Sequence, residues 1–408
     1  MFKSKKNDSK SNFNINYTSF IFIYLAYSSI FVFLNNYFPI LFFDVLNINR
    51  FILSLIQFLA YSILLLRPIF AALTDKYRVK GYQRKFFIIS SGYIFVLIYI
   101  IMGLTFNNIL LFGIFLLLIF LSSTMLDVST KSLIIDISPS DEIKKKSFFF
   151  ITVGDSLGRA IPYFLFLLLM NNIYSLNSWN AFFMCSFIFL LPLIGILPFI
   201  NENNEITSNL IEISKSEDFK SSNGQDPYPN FKLLFMLLCI FVLFAFSDVI
   251  FAYPFFPYLL NKFGSINFNF FNLFLMFYFI LSISSTAIGT FLMKRIEAKK
   301  ILLILIPLIG ILYILYTIVD FSFFVIIYVI ANSLATITNL NITVYIMKFK
   351  KSNKTIYFHL IASFRNLSIF IFLPLGTLLS SFFITEYLII TGAILLNLSL
   401  IPLVFIKF

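Results

Sequence analysis

The chain has 408 residues, of which 60% are hydrophobic and 12% charged, and its mean hydropathy is +0.95. A soluble globular chain carries roughly 25% charged residues, so a water-soluble fold is excluded and most of the chain belongs in lipid. The net charge of +12 would suit nucleic acid as a partner, but its placement along the chain follows membrane topology, and no nucleic-acid role is expected.

A helix that crosses a bilayer needs about 20 apolar residues. Behind a polar tail, residues 1–16 with Lys3, Lys5, Lys6 and Lys10, twelve candidate spans follow, near 17–43, 51–73, 86–105, 109–137, 147–170, 179–200, 231–259, 269–293, 301–319, 322–347, 355–380 and 386–406. The first is too long for the core of a cleavable signal. Lipid satisfies no backbone polar groups, so these segments must be helices, and nothing alternates like a barrel strand. The expected fold class is an all-α integral membrane protein with 12 transmembrane helices. Basic residues concentrate in alternate connections: Lys76, Arg78, Lys80, Arg84 and Lys85; Lys144, Lys145 and Lys146; Lys215, Lys220 and Lys232; Lys294, Arg295, Lys299 and Lys300; Lys348, Lys350, Lys351 and Lys354. The opposite connections hold only Arg50 and Lys262. The positive-inside rule then places both termini in the cytoplasm, which requires an even number of spans. The plasma membrane is the expected location and an organelle membrane the alternative.

Between the second and third spans, residues 67–85 read RPIFAALTDKYRVKGYQRK. This turn is too short for a domain and packs an acid, a glycine and six basic residues against neighbouring helix ends or headgroups, as a gate requires. The fourth span carries Asp127 and Lys131, four apart and so on one helical face, then Asp136. The fifth carries Asp155 and Arg159 at the same spacing. The seventh carries Asp248, and the eleventh His359 and Arg365. A charge at the bilayer centre costs about 2.5–3.5 kcal/mol on insertion scales, so such residues pair with each other or line a cavity. Both readings stand open for Asp127 with Lys131 and for Asp155 with Arg159: register-locking ion pairs, or carboxylates that accept a coupling proton beside cations that hold an anion. Asp248 and Arg365 have no partner in their own helices and read as functional. His359, about one turn inside its span, reads as interfacial.

Arg159 and Arg365 lie at matched depth in the fifth and eleventh spans, each followed by a proline (Pro162, Pro374), which suggests an internal repeat. The stretch 293–300, MKRIEAKK, is the positional counterpart of the basic hairpin. The aromatic–proline run at 253–258, YPFFPY, suits either a gating pocket or an interfacial belt. Residues 201–230 are polar, acidic and Ser/Asn-rich, and read as a cytoplasmic linker. Cys185 and Cys239 fall in spans and read as small core residues. There is no Walker A sequence, no zinc-ligand pattern and no nucleophile elbow, so an enzyme, a metal and a cofactor are not expected.

Six spans, a cytoplasmic linker and six more resemble the layout of the major facilitator superfamily. That resemblance implies a tail at 1–16, a six-helix bundle at 17–200, the linker at 201–230 and a second bundle at 231–408. Arg67-Pro68, Thr74-Asp75, Gly81-Tyr82 and Arg84-Lys85 further resemble the second-to-third loop of the folate–biopterin transporter family, K-P-x5-S-D-x5-G-Y-x-R-[RK]. Asp127, Lys131 and Asp136 match the spacing of that family's D-x3-D-x4-E with the middle charge reversed, and Ala71 stands where a glycine is common. The resemblance implies a proton-coupled importer of folates or pterins, usually monomeric. Arg67, Pro68, Asp75, Gly81, Arg84 and Lys85 would form the gate, and Arg159, Arg365, Asp127 and Asp248 the substrate site. Asp127, Asp248 and Asp155 would couple protons. Another solute, such as a sugar, peptide, drug or metabolite, is the first alternative. A non-transporting membrane protein such as a sensor or lipid scramblase is the second.

Overall fold

The computed structural model is 90% helical, with no β-strand among its described residues. Those are 2–77, 79, 82–137, 141–170, 175–188, 190–200, 202, 231–347 and 354–405. Within them the description excludes the side chains of 2–16, 137, 141–145, 231–249, 251, 253, 279–280, 290, 293–294, 298, 339–347, 354–358, 360–362, 364–365, 368 and 405. Gly81, Asp248 and Arg365, all expected at functional positions, therefore lie outside the described residues or side chains.

Helix α1 (Phe2–Val32) runs on through two π-helical turns, Phe33–Tyr37 and Leu41–Val45, on either side of Pro39. The expected second span is broken. Helix α2 (Arg50–Ser62) ends in a 3₁₀ turn, Ile63–Leu66, and α3 (Arg67–Lys76) follows with Pro68 in its first turn. Proline has no N–H, so it cannot donate to the carbonyl four residues back, and the Leu64 carbonyl is freed. Helices α4 (Lys85–Thr105), α5 (Ile109–Ile137) and α6 (Asp141–Leu169) match expectation, while the sixth span divides into α7 (Leu176–Ile188) and α8 (Leu191–Ile196), with Pro192 in the first turn of α8. Helix α9 (Phe231–Arg295) contains the expected seventh and eighth spans. They join at Gly264, whose φ of 78° suits only glycine. Helices α10 (Ala298–Leu315), α11 (Phe321–Met347), α12 (Lys354–Leu379), α13 (Thr385–Leu398) and α14 (Leu400–Phe405) complete the chain. Among the described residues eight helices are long and apolar enough to cross a membrane, or nine if the pair bent by 44° after Tyr278 counts as one. The turn at 77–84 marks one end of the molecule, the hairpin end. Helices α2 and α13 begin at the opposite, far end.

Packing sets where the charges point. Helix α6 lies directly on α1, because Gly154 and Gly158 present no side chain. A Cβ at either would stand 2.3 Å from the carbonyl oxygen of Ile21 or Leu25. Small residues four apart let two membrane helices approach this closely. Asp155 and Arg159 follow the two glycines and are turned about 100° round the helix from them. Two seams join helices of the N-terminal part to helices of the C-terminal part. In one, α2 pairs antiparallel with α12: Thr377 donates to Gln57 at 2.9 Å, Phe58 and Phe370 meet at 4.3 Å between centroids, and Asn366 donates to the freed Leu64 carbonyl at 3.2 Å. In the other, α6 pairs with α9 through Ser156 and Ser282 at 2.6 Å. Tyr37 of the π-helical extension of α1 also donates to Asn272 of α9 at 2.7 Å. Outward faces stay apolar, with Leu104, Leu110 and Ile304 exposed as lipid-facing residues would be.

Candidate functional site

The basic hairpin folds around one buried side chain. The Arg84 guanidinium is almost wholly enclosed and bonds Thr74 and Asp75, at the end of α3, and the Asp136 carboxylate of α5 at 3.0 Å. Its neighbour Gln83 donates to the Asp75 carbonyl at 3.0 Å. Val79 and Tyr82 exchange backbone hydrogen bonds of 2.9 and 3.0 Å, which closes the turn. The start of α4 leaves backbone N–H groups without helical partners. Those of Gln83, Arg84 and Lys85 all donate to the Glu202 carboxylate, at 3.0, 2.9 and 2.9 Å. A carboxylate at a helix N-terminus also complements the helix dipole. Lys85 rests over the Tyr82 ring at 5.2 Å. Asp75, Arg84 and Lys85 thus come together as expected, with Asp136 and Glu202 completing the network.

Arg67 is not part of that network. It lies deeper in the bundle, buried, in an ion pair with Asp127. Asp127 also receives Lys131 at 2.9 Å and the Tyr24 hydroxyl at 2.5 Å. Three helices therefore converge on one carboxylate, which is 2% exposed. One layer away, Asp155 pairs with Arg159 at 3.0 Å and accepts a hydrogen bond from Ser28. Both i,i+4 pairs read from the sequence form. Arg159 alone among these cations is open, with 45% of its side chain exposed. Its electrostatic neighbours include the phenols of Tyr163 on α6 and Tyr278 on α9, so it opens into protein-lined space between these helices and not onto lipid.

His359 departs from the interfacial expectation. It is fully buried on α12, with its Nε2 3.2 Å from the Ser132 hydroxyl of α5. Its depth within its own helix is as expected, but α5 covers that end of α12, which no single-helix reading can register. The 253–258 run departs from the belt reading in the same way. Phe255 and Phe256 are buried, Phe255 stacking on Tyr328 at 6.0 Å and Phe256 meeting Tyr37 at 5.9 Å. Glu202 is the functional candidate that sequence reasoning missed. It sits in a stretch read as linker, and an acidic residue right after a span, facing a basic hairpin, was its only signal.

No protein-family model matches the chain, and no curated protein matches it in sequence. Among solved structures it is similar to the crystal structure of the human organic anion transporter MFSD10 (TETRAN). The TM-score is 0.66 over 97% of this chain and 99% of that one, at 13% sequence identity. The chain shares the fold of that structure. At this identity the likeness is one of fold alone, and the apolar helices are those of a multi-pass membrane protein.

Proposed function

We propose that the chain is a secondary active transporter that moves a small organic anion across a membrane by alternating access. Its twelve spans would form two six-helix bundles, 17–200 and 231–408, joined by the cytoplasmic linker 201–230, with both termini cytoplasmic. The observation that carries this reading is the charge set between α1, α3, α5 and α6. Arg67 and Lys131 pair with Asp127, and Arg159 pairs with Asp155, so three cations and two carboxylates are drawn together inside the bundle. Arg159 is the member open to the space between α6 and α9. An anion entering there would meet a partly exposed guanidinium whose planar fork suits carboxylate recognition. Arg365 and Asp248 are proposed partners from the C-terminal bundle. Asp127 and Asp155 are the proposed proton acceptors, because protonating either would release a cation for the substrate.

The hairpin network fits a gate. Arg84 ties the ends of α3 and α5 together, and Glu202 adds the start of α4 to the tie, so the N-terminal bundle would move as one body against α12. The resemblance of Arg67-Pro68, Asp75 and Arg84-Lys85 to the loop of the folate–biopterin transporter family favours a folate- or pterin-like substrate within this class. Uptake of labelled folate and of a pterin by purified protein in liposomes, with and without an inward proton gradient, tests the reading. Saturable, gradient-stimulated uptake that is lost in Arg159→Ala is the expected result. No uptake of either compound by folded protein would remove the folate–pterin assignment. Uptake undiminished in Arg159→Ala would remove the anion site from this cluster.

A further inference from the structure

At the far end, away from the buried charge set, a cavity of 420 Å³ lies between the start of α2, the 254–262 stretch of α9 and the segment leading into α13. Its volume falls within the range of small-molecule sites, about 300–1,000 Å³. It takes Phe43 and Arg50 from the N-terminal part of the chain and Tyr258, Lys262, Ser380 and Glu386 from the C-terminal part. Arg50 and Lys262 are the two basic residues of this set of connections, and both line the cavity.

The two cations are in different states. Lys262 is committed: its ammonium donates to the Tyr258 hydroxyl at 3.0 Å and to the carbonyls of Tyr316 and Thr317 at 3.4 and 3.2 Å. Arg50 uses only Nη1, which bonds the backbone carbonyl and hydroxyl of Ser380, and it lies over the Phe43 ring at 4.8 Å. Among the described residues no hydrogen bond engages its Nε or Nη2, a planar two-donor edge suited to a carboxylate. The acid is incomplete in the opposite sense. Glu386 lies within hydrogen-bonding reach of Tyr258, yet its Oε2 is buried with no hydrogen-bond partner among the described residues. A buried acceptor without a donor is costly, and a ligand that brings one removes the cost. Asp44 interacts electrostatically with Arg50, and Glu386 and Asp320 with Lys262. The cavity is therefore no plain anion trap: it holds an open guanidinium edge and an unsatisfied carboxylate across an apolar, aromatic wall.

We propose that this far-end cavity binds a small zwitterion with an apolar body, of the size and chemistry of an aromatic amino acid. The ligand carboxylate meets Arg50, the ammonium meets Glu386, and the body packs on Phe43 and Tyr258. Because the walls come from both parts of the chain, the ligand binds only while these parts are closed against each other at that end. It therefore favours this arrangement by mass action. The site is independent of what the chain carries.

The test uses the full chain in lipid nanodiscs, with L-phenylalanine, benzoate and phenethylamine as probes and thermal unfolding and calorimetry as readouts. L-phenylalanine is expected to bind saturably and raise the unfolding temperature, more than either single-charge probe. Arg50→Gln and Glu386→Gln should each weaken it by about tenfold or more, the loss expected for one charge-assisted contact. Arg159→Ala should leave that binding intact, which separates this site from the buried charge set. The proposal is overturned if no probe binds, if benzoate or phenethylamine binds as tightly as L-phenylalanine, if both glutamine variants bind like the parent chain, or if Arg159→Ala abolishes binding.

Discussion

Asp127 accepts from three side chains on three helices: Tyr24 of α1, Arg67 of α3 and Lys131 four residues on in α5. A carboxylate so enclosed is stable only as long as its cations stay, and the cations only as long as it does. Asp127→Asn would leave Arg67 buried without its counter-charge. Breaking a buried pair this way costs about 3–5 kcal/mol, which thermal or chemical unfolding in detergent would measure. Asp127→Asn combined with Arg67→Gln should cost less than the sum of the single changes by about 1 kcal/mol or more, because the partners share one interaction. Strictly additive losses would mean that the two groups do not depend on each other. Arg159 is a different kind of residue. It too is paired, but its exposure leaves it little to lose in stability, so Arg159→Ala should change uptake much more than unfolding.

The hairpin is an element built by its neighbours. Alone, the chain from α3 to α4 is a polar turn. Its order comes from Arg84, which reaches Asp75 and Asp136, and from Glu202, which caps α4 from 118 residues away in sequence. Glu202→Gln keeps the shape of the side chain but loses the charge and one of two acceptor oxygens, so three backbone donors compete for the remaining one. A loss of about 1–2 kcal/mol at this helix end is expected, in line with other N-caps, together with faster amide exchange at residues 83–85. Unchanged exchange would show that the cap is not needed. Asp75→Asn and Arg84→Ala should each abolish transport while expression persists, and wild-type uptake in both would remove the hairpin from gating. That Asp75 and Arg84 belong to one charged turn was legible because they lie nine apart in it, and the pairs Asp127–Lys131 and Asp155–Arg159 because i,i+4 spacing needs no tertiary knowledge. Arg67 was read into the hairpin by adjacency, but the break before Pro68 makes it the first residue of a new helix that starts inside the bundle. Glu202 and His359 depend on which helices meet, and neither composition nor periodicity encodes that.

At the scale of the molecule, two seams hold the N-terminal helices against the C-terminal ones, α2 on α12 and α6 on α9. Alternating access requires each seam to part at one end while it stays closed at the other. Apolar contact such as Phe58 on Phe370 loses little when replaced by lipid tails, since helix association in lipid has no hydrophobic drive. Seam hydrogen bonds are the costly part, and among them the bond from Asn366 to the Leu64 carbonyl has an unusual origin. In an unbroken helix that carbonyl would be satisfied by the N–H of residue 68 in every conformation. Pro68 withdraws that partner, and the carbonyl accepts from Asn366 while α12 lies against it. The proline thereby turns a bond indifferent to the transport cycle into a preference for one half of it. Restoring the donor with Pro68→Ala, or deleting the visitor with Asn366→Leu, should each remove that preference and shift occupancy in the same direction, away from the state in which α12 lies against α2. Alanine frees α12 at no loss to α2, and leucine strands the carbonyl whichever way the halves lean. With about 1.4 kcal/mol per tenfold and about 1 kcal/mol for an ordinary hydrogen bond, the alanine variant should change the ratio of the two states by several-fold. Distance distributions between spin labels at the two ends of the bundle would read that ratio directly. Equal distributions in the parent and alanine chains would mean that the broken helix carries no memory of which way the transporter faces.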